Sequence, residues 1–189
     1  MKVHEGIGGR LRDFIEAQPM FFVATAPSGP GGHVNVSPKG MAGTFAVLGE
    51  HRVAYLDYHG SGAETIAHLD ENGRITLMFC AFQGPPNIVR LHGQGRAVPV
   101  TSPAYAELLR LFPSPPDPHA VRSVIDVDVE RVSDSCGYAV PLMRYEGDRD
   151  LLIRAHERRT DADLAQYRRV KNGASIDGRP IFAEATPEA

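Results

Sequence analysis

Between Met20 and Val132 the chain falls into six or seven short β-patterned runs, packed too closely for the repeated helical crossovers of a parallel sheet. The runs are Met20–Ala26, Val34–Ser37, Thr44–Leu48, Val53–Tyr58, Arg74–Phe82, Ile88–Val98 and Ser123–Val132. Turn residues separate several of them, as in Ser28-Gly29-Pro30-Gly31-Gly32 and Gly84-Pro85-Pro86. Strands that follow one another this way pair mainly antiparallel, and a small closed sheet with peripheral helices is the architecture that removes their edges. The predicted fold class is therefore an α+β β-barrel with peripheral helices.

Few helices are predicted. Leu11, Phe14 and Ile15 recur at helical spacing before Pro19, and a helix after Ser61 stops at Asn72-Gly73. Ser102-Pro103 opens another over Ala104–Phe112. Past Met143 the composition turns charged and helical, and Thr160-Asp161-Ala162-Asp163 forms a capping-box pattern ahead of Leu164–Lys171. The chain divides into a barrel over residues 1–143 and a helical extension over 144–189, packed on the barrel or on a partner subunit.

Charge and cysteine usage exclude several function classes. Twenty basic against 23 acidic residues give a net charge of −3, and no run of like charge offers a nucleic-acid footprint. The N-terminus lacks a signal core, and no apolar run approaches the ~18–20 residues of a membrane span, so a cytoplasmic location is expected. Cys80 and Cys136 have no metal-ligand spacing and read as reduced thiols, and the eight histidines are scattered, so no metal is expected. The Gly60 tract also lacks the G-x-G-x-x-G spacing of a dinucleotide fold.

The chemistry concentrates between Val34 and Val98. Alternation sets Val34 and Val36 on one face of their strand and Asn35, Ser37 and Lys39 on the other, which can hold a polar ligand. Gly60-Ser61-Gly62 lets the backbone turn closely, and the helix that follows opens with unpaired N–H groups, the pattern of a phosphate grip. Along Ile88–Val98, Arg90, His92, Gln94 and Arg96 face one way. Each residue also has a structural reading. Lys39 fits a solvated lysine beside a turn, Ser61 and Glu64 fit an S-x-x-E capping box, and Thr65 fits an ordinary first-turn residue. Arg90 fits a partner of Asp57 or another barrel acid, His92 a strand histidine, and Cys136 and Tyr138 packing or pocket-lining positions.

The order strand, S-P-K-G, strand, Y-L-D-Y-H-G-S-G-A-E-T, helix, E-N-G-R-I-T-L-M-F, turn, and a strand ending L-H-G-Q-G-R resembles the pyridoxamine 5′-phosphate oxidase-like family of FMN-binding split β-barrels. The resemblance covers most of residues 10–132; S-C-G-Y-A-V-P-L-M at Ser135–Met143 and S-I-D-G-R-P at Ser175–Pro180 resemble a bacterial subgroup of it. It implies a homodimer with FMN at the subunit interface. The cofactor contacts it implies fall on Val36, Ser37 and Lys39 and on Ser61, Gly62 and Thr65 in the phosphate turn; Asp57 and Arg90 are further candidates.

One departure bears on the reaction. The oxidase carries an Arg-Lys pair in the phosphate turn, where this chain has Ala63, Glu64 and Thr65, and the oxidase's late R-x-H substrate motif has no counterpart in Ser175–Ala189. Phosphate charge then falls to Lys39, Arg90 or a partner-chain arginine, and oxidation of pyridoxamine phosphate itself is disfavoured. The expected function is an FMN-dependent oxidoreductase acting on an unidentified small molecule, with a nicotinamide electron donor as a possible second partner and no catalytic side chain assigned. The alternatives are a non-catalytic flavin-binding protein for storage, stress or sensing, and a deazaflavin-dependent reductase. Haem is disfavoured for want of an axial histidine, and deazaflavin would call for a broader basic groove.

Overall fold

The computed structural model describes residues 1–182; the end of the extension, residues 183–189, lies outside the described residues. The N-terminal half holds β1 (Lys2–His4), α1 (Arg10–Glu16), β2 (Met20–Thr25), β3 (Asn35–Gly40), β4 (Phe45–Gly49), β5 (Arg52–Tyr58) and α2 (Glu64–Asn72). The remainder holds β6 (Arg74–Cys80), β7 (Ile88–Pro99), α3 (Tyr105–Leu109), β8 (Val121–Ser135), α4 (Leu151–His156) and α5 (Asp161–Lys171). The strands form one antiparallel sheet in the order β3-β2-β6-β7-β8-β5-β4, with β1 added on β8. Strand β1 was not expected, because three residues are too few to show a period.

The sheet rolls up until its two ends meet. Phe21 on β2 and Phe45 on β4 stand 5.1 Å apart between ring centroids, and Phe45 stands 5.2 Å from Phe79 on β6. Yet β3 pairs only with β2, and β4 only with β5, so no ladder joins the two edges. The barrel is split along that seam. Inside it, Val23, Tyr55, Leu77, Phe79, Leu91 and Ile125 are buried in the main core, while Leu56, Tyr105, Leu108 and Phe112 form a second cluster under α3.

Two strand faces depart from the usual reading. On β3 the apolar side chains face outward, with Val34 just ahead of the strand 70% and Val36 63% exposed, while Asn35, Ser37 and Lys39 turn inward. The inward face is polar because it meets buried polar groups across the seam. On β8 Ile125, Val127 and Val129 alternate with Asp126, Asp128 and Glu130, a pattern that sets the acids toward solvent; Asp126 is buried all the same, because Arg52 on β5 makes two 2.9 Å bonds to its carboxylate and Arg96 on β7 adds another contact.

The extension lies against the barrel. Thr160 caps α5 with the expected reciprocal box, and α5 then presents Arg168 Nη1 to His59 Nε2 at 2.9 Å. His59 Nδ1 is 2.8 Å from the Ala120 carbonyl and donates to it, which leaves Nε2 as the acceptor for an arginine that is always charged. Burial, reinforced by the charges of Arg168, Arg122 and His156, outweighs the Ala120 bond and brings the His59 pKa down to about 4. The unfolded chain therefore binds a proton here that the folded chain refuses between pH 6.5 and 4. The His59 contribution should be fully present above about pH 6.5 and be lost, at a cost of about 5 °C in Tm, as pH drops to 4. Thermal melts of the wild type and of His59→Asn check this; the variant should lose the slope in that window.

Candidate functional site

Strand β5 is apolar from Val53 to Leu56 and then reaches Asp57, whose carboxylate is only 2% exposed. A buried carboxylate needs partners, and three side chains supply them. Arg122, at the start of β8, donates Nε to Asp57 Oδ2 at 2.6 Å; Ser123 donates its hydroxyl to the same oxygen at 3.3 Å; and Lys39 Nζ lies 3.1 Å from Oδ1. Lys39 is on β3 and Asp57 on β5, so this ion pair bridges the seam that no backbone ladder crosses. Burial by itself would raise the Asp57 pKa; the charges and hydrogen bonds of Arg122 and Lys39 overcome it and bring it down to about 2.

Arg122 also shapes the glycine turn. Its remaining nitrogens donate to the carbonyls of Gly60, at 3.1 Å, and Gly62, at 2.6 Å. With those carbonyls drawn inward, α2 begins late, with Ala63 rather than Ser61 at its N-cap position and no side-chain cap. The Ser61/Glu64 capping box is therefore not made. Glu64 instead accepts the Ile176 N–H with both carboxylate oxygens, at 3.1 and 3.2 Å. At the other end, Gly73 adopts the expected left-handed cap at φ 70°.

A cavity of about 40 Å³ opens where these elements meet. Of the residues expected at a cofactor, Ser37, Lys39, Asp57, Gly62 and Thr65 line it, and Asn35, Ala63, Glu64 and Arg122 complete it. Two cations outnumber the one buried carboxylate of Asp57, Glu64 adds a second carboxylate at the cavity wall, and the first-turn amides of a nine-residue helix lie beside them. Glu64 stands on the rim with its carboxylate engaged by the Ile176 N–H. The arrangement suits an anion with several acceptor oxygens. Tyr55 sits beneath it, 5.9 Å from Lys39 Nζ to ring centroid. Burial, with the Asp57 charge, holds the Tyr55 phenol well above its ordinary pKa, and its hydroxyl has Thr65 nearby but no hydrogen bond of ordinary geometry.

The other expected residues lie elsewhere. Ser61 is exposed at the tip of the turn, with its carbonyl and that of Gly60 within reach of Asn172 Nδ2 at 3.5 and 2.9 Å. Val36 faces away from the cavity on the same strand. Arg90 is on β7 and donates to Ser135 Oγ at 3.1 Å; it is paired with neither Asp57 nor the cavity. A second, wider groove of about 410 Å³ runs over β2, β6 and β7, lined in part by Thr25, Thr76 and His92. Burial, then the charges of Arg131 and Arg90, lowers the His92 pKa, so this groove presents a neutral imidazole.

Sequence reading missed Arg122. Its signal was present: a lone cation in the apolar run Ala120-Val121-Arg122-Ser123-Val124, matching a lone carboxylate in Val53-Ala54-Tyr55-Leu56-Asp57.

Comparison with known proteins agrees with this architecture. The family model described as pyridoxamine 5′-phosphate oxidase matches residues 7–136. The pyridoxamine 5′-phosphate oxidase family protein ustO of Aspergillus flavus is 39% identical over 191 residues, covering 94% of this chain and 76% of the relative. An FMN-binding protein of Syntrophomonas wolfei subsp. wolfei shares the fold, with a TM-score of 0.50 at 14% identity, covering 70% of this chain and 85% of that one.

Proposed function

The chain belongs to the pyridoxamine 5′-phosphate oxidase family, and from that premise we propose that it is an FMN-dependent oxidoreductase acting on a small molecule, with the flavin phosphate held at the seam. The observation that carries this reading is the Lys39–Asp57–Arg122 cluster, two cations on one buried carboxylate, open to a cavity at the start of α2, where the opening amides of a helix have no partner within it. Bound FMN would supply hydride or electron transfer. The chain's part is to bind and orient it. Lys39 meets the phosphate charge, Thr65 and the α2 amides donate to its oxygens, and Arg122 fixes the turn that presents those amides.

The cavity has room for a phosphoryl group, since one water takes about 10–15 Å³ on the same measure, and none for a tricyclic ring. The ring must then lie on open surface beside β3, where Val34 and Val36 are exposed. A second copy of the chain covering that strand would exclude water from it, and this supports a homodimer. The 410 Å³ groove gives space for the small-molecule substrate.

Titration of the purified protein with FMN and with riboflavin tests the reading. FMN should bind at micromolar concentration or better, on the order of −8 kcal/mol, and Lys39→Ala should weaken FMN about tenfold while leaving riboflavin nearly unchanged. Equal losses for the two ligands would place Lys39 away from the phosphate. Sedimentation of the apo and FMN-loaded protein in the same series reports whether the ligand drives pairing.

A further inference from the structure

We propose that Asn35 is a positioning residue that gives the seam cavity its preference for a phosphorylated ligand, by fixing the direction of the Thr65 hydroxyl. This rests on the reading that the cavity takes the flavin phosphate.

Asn35 is the hub of a hydrogen-bonded chain behind the cavity. Its Nδ2 donates to Thr65 Oγ1 at 3.1 Å and, more weakly, to Thr25 Oγ1 at 3.4 Å, while its Oδ1 accepts from Ser37 Oγ at 3.0 Å. Thr25 in turn contacts Nδ1 of His68 at 2.9 Å, and both Thr25 and His68 are buried. The amide turns its Nδ2 toward Thr65 and its Oδ1 toward Ser37.

A threonine hydroxyl has one proton and two acceptor positions. With an Asn35 N–H on its acceptor side, the Thr65 hydroxyl keeps its proton free to point into the cavity, beside Lys39 Nζ. A phosphoryl oxygen, which only accepts, meets two donors there; the free alcohol of riboflavin gains much less from the same pair. Ser37 has already used its proton on Asn35 and adds no donor. Without the Asn35 amide, the Thr65 hydroxyl is free to turn toward Tyr55, whose buried hydroxyl otherwise has no partner among the described residues.

The test is a double-mutant cycle on the full chain, read as the ratio of riboflavin to FMN dissociation constants, for wild type, Asn35→Ala, Thr65→Val and the double variant. Asn35→Ala and Thr65→Val should each cut the ratio about tenfold, with riboflavin binding nearly unchanged, and the double variant should lose no more than either alone. Thermal melts report whether each variant is folded, and Asn35→Leu, close to asparagine in volume but with no donor or acceptor toward Thr65, serves the same cycle should alanine not be tolerated. Retention of the ratio in the Asn35 variant, or losses that multiply in the double variant, overturns the role of Asn35. A wild type that binds FMN no better than riboflavin removes the phosphate reading itself, and this inference with it.

Discussion

Arg122→Met should destabilise the chain by about 3–5 kcal/mol, the cost of leaving a buried carboxylate without its main partner. Asp57 is 2% exposed and Arg122 is equally deep, so water cannot replace the guanidinium without opening the barrel seam. The same variant releases the carbonyls of Gly60 and Gly62 and removes one of the two cations beside the cavity. FMN affinity should therefore fall together with stability. Asp57 provides the internal control: Asp57→Asn combined with Arg122→Met takes out both charges and should cost less stability than Arg122→Met alone, while still failing to hold the phosphate. Denaturant unfolding and FMN titration of the three variants measure both effects. A double variant as unstable as the single would show that packing of the arginine stem, rather than the orphaned charge, dominates.

Gly93→Ala is expected to be as damaging for a purely steric reason. Gly93 sits where the pairing of β7 with β8 shifts register, between His92 and Gly93. A Cβ there would stand 2.0 Å from the Asp128 carbonyl oxygen and 3.0 Å from Val129 Cα, all backbone of the neighbouring strand. No rotamer change relieves such a clash, so the two longest strands must separate locally at a cost of about 3 kcal/mol or more. Gly29→Ala, where an added methyl meets nothing within 4 Å, should leave Tm within about 2 °C of wild type. Similar melting temperatures for the two variants would contradict the described register at the bulge.

The sequence disclosed whatever depends on near neighbours. Seven strands, the Gly73 cap and the Thr160 box each arise from residues a few positions apart, and the structure contains all of them. Lys39 and Asp57 were likewise visible as candidate site residues, though the natural partner for Asp57 read as Arg90. What local pattern could not reveal was register and closure. Asp126 reads as solvated until Arg52 and Arg96 are set on either side of it, and Arg122 is mute until β8 pairs with β5 and brings it to Asp57. The Ser61/Glu64 box failed for the same reason, because competing partners came from Arg122 and Ile176, far along the chain. Strand β3 shows the limit of polarity patterns: the seam, a feature of the closed barrel, decides that its polar face turns inward.

The C-terminal segment ties this seam together from a distance in the chain, and that has a consequence for how the protein is made. Asn172 reaches Gly60 across 112 positions, and Asp177 binds the His33 backbone and ring across 144. Contacts of such long separation form late, because the loop they close is entropically costly until the rest of the sheet exists. During synthesis the glycine turn, the helix start and β3 emerge early but wait for Arg122, and then for Asn172 to Asp177, before all their restraints are present. A nascent chain halted between those points would hold most of a barrel with an unfinished site, so capture of the proposed flavin would be a closing event of biosynthesis and a sensitive marker of whether the last segment has docked.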